Sequence, residues 1–147
     1  MQQRWTYRFY PTEEQEKILA HTFGCVRYAY NWALEARARA AKCGDRMSYA
    51  DSDRALTVLK RQPETIWLNG VSSVTLQQAL RDLQAAYSAF FAKRSGYPCF
   101  KRKSARATAR YVGDAFSLTG DRRLKVAKLG FLKLRWDRSL PSKPSSL

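Results

Sequence analysis

The clearest alternation of apolar and polar positions in the chain lies between Ser72 and Lys93. An apolar seam recurs there at spacings of four, three, four and three residues, which places its members on one side of an α-helix: Leu76, Leu80, Leu83, Tyr87 and Phe90. A polar stripe follows the same spacing one position further along: Ser73, Gln77, Arg81, Gln84 and Ser88. The pattern therefore predicts an amphipathic helix over about 72–93.

Helices are also predicted closer to the N-terminus, where two of them begin at capping signals. Thr12 with Gln15 forms one capping-box pattern, and Ser48 with Asp51 forms a weaker one. We expect a first helix from Thr12 through Phe23, a turn or kink at Gly24, and a second helix over about 25–42. A third helix is predicted over 49–61, ended by Gln62-Pro63.

Strand-like alternation occurs at both ends of the chain. Residues 4–10 follow this pattern, as do 111–118, 124–127 and 130–136, with turns around Gly120-Asp121 and at Gly130. Because a single strand leaves its backbone groups unpaired, we expect the N-terminal strand to pair with the C-terminal strands. The helices then form an insertion in a small β domain, an α+β arrangement.

Charge is distributed unevenly along the 147 residues, which carry a formal net charge of +15. Residues 1–92 hold 12 Lys and Arg against 9 Asp and Glu, whereas residues 93–147 hold 15 against 3. Aromatic and apolar residues interleave with the later charges, which favours a folded basic surface over the alternative of a disordered tail. A polyanion is the partner that such a surface predicts.

Several classes of protein are excluded by composition. No apolar stretch approaches the roughly 20 residues of a membrane-spanning helix, and no signal-peptide core follows Met1. Cys25, Cys43 and Cys99 include no CxxC pair, and His21 is the only histidine. We therefore predict no disulfide scaffold, no zinc finger and no bound metal, and we expect a reducing cytoplasmic location.

Motifs along nearly the whole chain resemble those of one family. The N-terminal signature is Thr6–Pro11, Thr12–Gln15 and Thr22–Leu34. Further segments agree in order and spacing over about residues 4–136: Leu59-Lys60, Trp67-Leu68, Val71–Ser73, Leu76–Leu83, Tyr87, Phe90-Phe91, Gly96–Pro98, Phe100-Lys101, Arg110-Tyr111 and Lys128–Gly130. The chain resembles the TnpB/OrfB proteins of bacterial insertion sequences.

The resemblance implies an RNA-guided DNA-binding protein related to ancestors of the type V CRISPR effectors. It implies a wedge domain, complete or incomplete, that is a small oligonucleotide-binding-type β barrel with a helical recognition block inserted after its first strand. The expected bounds are 1–11 for that strand, 12–95 for the insertion with a helix-turn-helix-like start, 96–140 for the basic wedge segment, and 141–147 for a linker or ragged end.

The partners implied are duplex DNA with a short transposon-adjacent motif and a guide RNA from the transposon end. The implied setting is the nucleoid of a bacterium or archaeon, with no membrane partner. The RuvC-like nuclease half of the family, with its divalent metal and zinc, is expected beyond this chain. Asp114, Asp121 and Asp137 are expected to make turns or ion pairs, so we predict no catalysis and no cofactor for the chain alone.

Three functions remain open from the sequence. The chain is a nuclease-less piece that binds nucleic acid, the binding half of an active RNA-guided endonuclease, or a generic basic RNA-binding protein.

Motif-reading residues are implied by matching the family's positions. Tyr49, Ser73 and Gln77 align with the surface that meets the adjacent DNA motif. Glutamine makes bidentate contacts to adenine, and serine bonds several base edges. The alternatives are an ordinary solvated helix flank for the stripe and core packing for Tyr49.

Phosphate contacts are predicted for six cations: Arg27, Lys101, Arg102, Lys103, Arg106 and Arg110. Such contacts set affinity and salt dependence without reading sequence. Tyr97, Phe100 and Tyr111 lie among them and are predicted to stack on unpaired RNA bases, with barrel-core packing as the alternative. Four other aromatic residues are predicted to be core: Trp32, Trp67, Phe90 and Phe91.

Overall fold

The first helix of the protein, α1, begins at the predicted capping box of Thr12 and Gln15 and runs from Glu13 to Lys42. We describe it from a computed structural model that covers residues 2–119 and 122–147. The predicted turn at Gly24 is wrong, because α1 continues through it. One glycine costs a helix only about 1 kcal/mol, and the burial of Thr22, Cys25 and Val26 around Gly24 offsets that cost.

Two helices and a 3₁₀ segment complete the helical block. Helix α2 spans Tyr49–Leu59 and starts at the predicted Ser48–Asp51 capping box, and it ends two residues earlier than expected. A 3₁₀ helix that the sequence did not indicate follows over Pro63–Gly70, with the proline at its first turn. Helix α3 spans Ser73–Phe91.

The apolar seam of α3 packs against α1 and α2. Leu76, Leu80 and Leu83 have almost no exposed surface, Tyr87 is buried, and Phe90 is half-buried. We call this cluster the helical core; its other buried members include Ala29, Ala33, Leu34, Leu56 and Leu68. The core prediction is wrong for Phe91, which is 73% exposed, and for Trp67, which lies on the surface; Trp32 is half-buried against the helical core.

The strands form one antiparallel sheet in the order β1-β4-β3-β2. The strands are β1 Phe9–Tyr10, β2 Phe116–Leu118, β3 Leu124–Val126 and β4 Gly130–Leu134. The expected pairing of the two chain ends is confirmed, since Phe9 lies opposite Leu134 and Tyr10 opposite Lys133. The fold class is therefore α+β.

The strands are shorter than predicted. Of residues 4–10 only two are strand, and residues 113–115 form a 3₁₀ turn inside the segment predicted as one strand over 111–118. The predicted turn at Gly120-Asp121 lies outside the described residues.

A second cluster, the sheet core, lies between the sheet and the helices. Its buried members are Tyr111, Ala115, Phe116, Leu124, Val126 and Leu129. Ile18 and Leu19 of α1 and Val74 of α3 pack against it. The sheet is thus fixed to the helical block through α1 and α3.

Residues 141–147, for which a linker or ragged end is expected, return to the sheet core at their last residue. Leu147 and Tyr111 exchange two backbone N–H···O hydrogen bonds of 2.8 Å each. The two bonds satisfy the backbone N–H and C=O of Tyr111, which lies outside the strands of the sheet.

Candidate nucleic-acid interface

The polar stripe of α3 is displayed on the surface because the seam beside it is buried. Ser73, Gln77 and Arg81 are exposed and lie four residues apart, so they line up along one side of the helix. Ser73 is the first residue of α3. The predicted readers Ser73 and Gln77 therefore share one accessible helix face.

Tyr49 lies beside this stripe. It is the first residue of α2, it is half-buried, and it packs against the helical core. The guanidinium carbon of Arg81 lies 5.3 Å from the centroid of the Tyr49 ring. Tyr49 thus combines partial core packing with a contact to Arg81, the stripe residue one helical turn beyond Gln77.

The far end of the stripe is fixed by α1. Arg37 donates a 2.9 Å hydrogen bond to the side-chain oxygen of Gln84, and its guanidinium lies 4.3 Å from the Tyr87 ring centroid. Burial raises the pKa of Tyr87, and the hydrogen bond with Tyr97 raises it further. The Tyr87 hydroxyl is therefore engaged within the protein, and its side chain fixes Arg37 and Tyr97 at this end of the stripe.

A groove of about 210 Å³ opens at the other end of the stripe. Ser73 lines it together with Asn69, Lys60 at the end of α2, and Lys128 in the turn between β3 and β4. Sequence reasoning missed these two lysines, because they are 68 positions apart and neither lies in a cationic run. The sheet and the helical block thus both supply a cation next to Ser73.

The basic segment, residues 96–110, has no helix or strand, and side chains of α1 and α3 hold it in place. Asn31 of α1 donates from Nδ2 to the Lys101 carbonyl (3.0 Å) and accepts from the Lys101 N–H (2.8 Å). The Lys101 ammonium lies 4.6 Å from the centroid of the Tyr30 ring. Arg102, Lys103 and Arg106 follow on the exposed surface.

The two remaining phosphate candidates are Arg27 on α1 and Arg110, the last residue of the basic segment. Arg27 is half-buried on α1, and within the described residues it makes no ion pair. Arg110 contacts Asp82 of α3 at 2.5 Å, and both side chains are partly exposed. A phosphate at Arg110 has to compete with that carboxylate.

The three predicted stacking residues have different surroundings. Tyr97 packs edge-on against Tyr87 and Phe90, and its hydroxyl lies 3.0 Å from that of Tyr87. Phe100 is 58% exposed. Tyr111 is only 5% exposed and belongs to the sheet core, so the stacking prediction for Tyr111 is wrong and its alternative, core packing, is observed.

Acidic residues, cysteines and the histidine are dispersed. Across residues 2–119 and 122–147, no three His, Cys, Asp or Glu side chains come together as a possible metal site. Asp137 contacts Arg138 at 3.6 Å. His21 lies beside Gly70 and Trp67, where an added Cβ at Gly70 would be 3.2 Å from its ring.

Comparison with known proteins places this arrangement in a family. A family model described as a helix-turn-helix domain, that of OrfB proteins, matches residues 1–46. A Streptomyces pristinaespiralis protein named "Putative RNA-guided DNA endonuclease" is 52% identical over 139 residues, covering 92% of this chain and 34% of that protein. The chain belongs to the TnpB/OrfB family, as its motifs predicted.

Two further relatives differ in length. "Putative RNA-guided DNA endonuclease InsQ" of Escherichia coli K12 is 30% identical over 139 residues, covering 94% of this chain and 35% of InsQ. "Virulence protein VsdF" of Salmonella dublin is 30% identical over 104 residues, covering 64% of this chain and 87% of VsdF. The chain spans about a third of the length of the two endonuclease relatives.

The matched helix-turn-helix segment consists of β1 and α1, and its residues 13–42 are one helix here.

Among the described residues, none of the helices has the length and apolarity needed to cross a membrane.

Proposed function

We propose that the chain is a nucleic-acid-binding module that reads a short transposon-adjacent motif in duplex DNA and grips a guide RNA. The observation that carries the proposal is the polar stripe of α3, with Tyr49 beside it and the basic segment held on the same helical block. Hydrogen-bonding side chains on one exposed helix face suit the base edges of a major groove. The endonuclease names of the two long relatives support this use.

The division of labour follows from side-chain chemistry. Tyr49, Ser73 and Gln77 face the DNA motif, where Ser73 and Gln77 bond base edges and Tyr49 lies beside them with Arg81 over its ring. Lys101, Arg102, Lys103 and Arg106 neutralise phosphates together with Arg27 and Arg110, while Tyr97 and Phe100 stack on unpaired bases. In this proposal cleavage, with its divalent metal, belongs to a separate RuvC-like nuclease half, as the family resemblance implies.

We further propose that the sheet is part of an oligonucleotide-binding-type barrel. The strand order β1-β4-β3-β2 joins the two chain ends across the helical insertion, which supports this architecture. In this proposal the protein acts in the cytoplasm, at the nucleoid.

Binding to a library of randomised short duplexes tests the proposal, with selected sequences read out by sequencing. We expect one enriched motif and a log–log salt slope near −5, for about six phosphates engaged on duplex DNA. Gln77→Ala should flatten the motif preference, whereas Lys101→Gln/Arg102→Gln/Lys103→Gln should weaken all sequences alike.

Matched controls separate these roles from general effects. Gln62→Ala removes another exposed glutamine. Arg39→Gln/Lys42→Gln/Arg46→Gln removes the same charge at the C-terminal end of α1 and just beyond it. An even library with no enriched motif would favour a generic basic RNA-binding protein.

Sequencing of copurified RNA adds an independent test: one species from the flank of the protein's own gene supports the guide, and bulk ribosomal RNA contradicts it.

A further inference from the structure

The outward side of the sheet carries a pattern that the helical block does not use. Side chains alternate across a strand, and the register places Ser117 opposite Lys125 and Lys125 opposite Phe131. Lys133 follows Phe131 on the same side of β4, with Tyr10 opposite it. Because the other side packs on the sheet core, these five residues form an outer sheet surface that is aromatic and cationic.

Two cations lie over the Phe131 ring of this surface, one from Lys125 and one from the neighbouring Arg123. The guanidinium carbon of Arg123 is 4.4 Å from the centroid of the Phe131 ring, and the Lys125 ammonium is 6.0 Å from it. Phe131 is nevertheless 43% exposed, and Tyr10 is 46% exposed. A guanidinium lying on a ring at this distance keeps its outer face open for a further planar group.

A groove of about 320 Å³ lies along β4 beside this surface. It is lined by Arg122, Arg123, Phe131, Lys133 and Trp136, together with Leu132 and Leu134. The Trp136 indole donates to the Arg122 carbonyl at 2.8 Å, which fixes the rim of the groove.

Beyond Trp136 the same chemistry continues. The Tyr7 ring lies 5.1 Å from the Trp136 ring, and the guanidinium of Arg138 lies 5.8 Å from Tyr7 and 5.6 Å from Trp5. Aromatic rings and guanidinium groups therefore succeed one another from β4 to the N-terminal segment.

Charge complementarity selects the partner. Residues 122–138 contain seven Lys and Arg and a single acid, Asp137, which pairs with Arg138. A polyanion is favoured at such a surface, but phosphate alone would need only the cations. The rings become useful when bases are unstacked, because only an unpaired base offers a free face for stacking.

We propose that the outer sheet surface and its groove bind a single nucleic-acid strand, with unpaired bases stacking on Phe131, Arg123 and Trp136. This inference rests on the proposed nucleic-acid-binding function and adds a site distinct from the polar stripe and the basic segment. The phosphates of the strand lie against Lys125, Lys133 and Arg122.

Fluorescence anisotropy with the 147-residue chain tests this site, using an unstructured 12-nucleotide RNA and a 12-base-pair DNA duplex as probes. We expect Phe131→Leu, which keeps an apolar side chain but removes the ring, to raise the Kd for the RNA about tenfold. Arg123→Gln should raise it about fivefold, and both variants should leave the duplex Kd within twofold. Phe91→Leu and Arg39→Gln are the matched controls, which remove an exposed ring and an exposed guanidinium far from the sheet.

Equal Kd values of Phe131→Leu, Arg123→Gln and wild type for the RNA would overturn the site, and so would equal losses for RNA and duplex. In either case duplex binding in the wild type would leave the proposed function standing. Absence of binding to both probes at low salt would instead defeat the proposed function together with this inference. Thermal unfolding of each variant shows that the comparison is made between folded proteins.

Discussion

Asn31 holds Lys101 as a neighbouring strand would, with its side-chain amide donating to the Lys101 carbonyl and accepting from the Lys101 N–H. The two bonds fix a segment that has no regular structure of its own to the middle of α1. The cations that follow Lys101 in sequence therefore start from a defined point on the helical block.

Asn31→Ala should weaken nucleic-acid binding while costing little stability. We expect the free energy of unfolding to fall by about 1 kcal/mol, because the freed Lys101 backbone is exposed and bonds water instead. The Kd for duplex DNA should rise several-fold, since the loosened basic segment then loses conformational entropy when binding orders it. Thermal unfolding and anisotropy measure the two effects.

Thr12→Ala is the control for the Asn31 prediction. It removes the α1 cap, also at a cost of about 1 kcal/mol, at a place far from the basic segment in sequence. A loss of affinity as large as that of Asn31→Ala would show that binding follows stability and that the Asn31 contact has no specific role.

Asp82→Asn should strengthen binding. The change frees Arg110 from its carboxylate partner and removes one negative charge, which raises the net charge by one. We therefore expect a two- to fivefold lower Kd for duplex DNA at low salt. Stability should change by less than about 1 kcal/mol, because the pair is partly exposed. Anisotropy at two salt concentrations checks that the Kd falls and that the difference from wild type becomes smaller at higher salt.

Asp53→Asn gives the same change in net charge without touching Arg110. If it improved binding as much as Asp82→Asn, the gain would reflect net charge and the competition at Arg110 would be refuted.

The three cysteines should differ in reactivity. Burial raises the pKa of the Cys25 thiol to about 11, whereas Cys43 and Cys99 lie on the surface. Because the thiolate is the reactive form, iodoacetamide at pH 8 should add two groups to the folded protein quickly and the third only after unfolding in guanidinium. Mass spectrometry counts the groups; three rapid additions to the folded chain would contradict the burial of Cys25.

Stability should fall in acid partly through Asp51. Hydrogen bonds from the Ser48 backbone and hydroxyl, and then from Arg54, lower the pKa of Asp51 below its ordinary value. A lowered folded-state pKa means that the contribution is present above the unfolded pKa near 4 and is lost as pH falls through the folded value. Asp51→Asn should therefore lose less stability than wild type between pH 5 and pH 2 in urea unfolding.

Asp53→Asn, which leaves the Ser48 cap intact, is expected to keep the wild-type acid response. Identical pH profiles for wild type and Asp51→Asn would remove the capping carboxylate as a source of acid sensitivity.

Local signals in the sequence predicted several elements well. The seam of α3, both capping boxes and the pairing of the chain ends depend on neighbouring residues or on the need to satisfy backbone groups. Gly24 shows where such reasoning fails, because a glycine signals a turn only when burial on both sides does not outweigh its cost.

The site depended more on tertiary context than the elements did. Nothing in the sequence distinguishes Tyr111, which is core, from Phe100, which is exposed, since both stand next to a cation. Lys60 and Lys128 meet at Ser73 only because the sheet is fixed to the helical block. The outer sheet surface could not be predicted either, because it depends on the register of β3 and β4, which places Lys125 opposite Phe131.

Helix α1 takes part in both clusters. Ile18 and Leu19 pack against the sheet core, and the buried residues between positions 25 and 34 belong to the helical core. Neither cluster can therefore melt alone without breaking a continuous 30-residue helix. We expect the chain to unfold in a single cooperative transition, with one calorimetric peak. The two binding faces would then be gained and lost together, so partial unfolding could not release one while keeping the other.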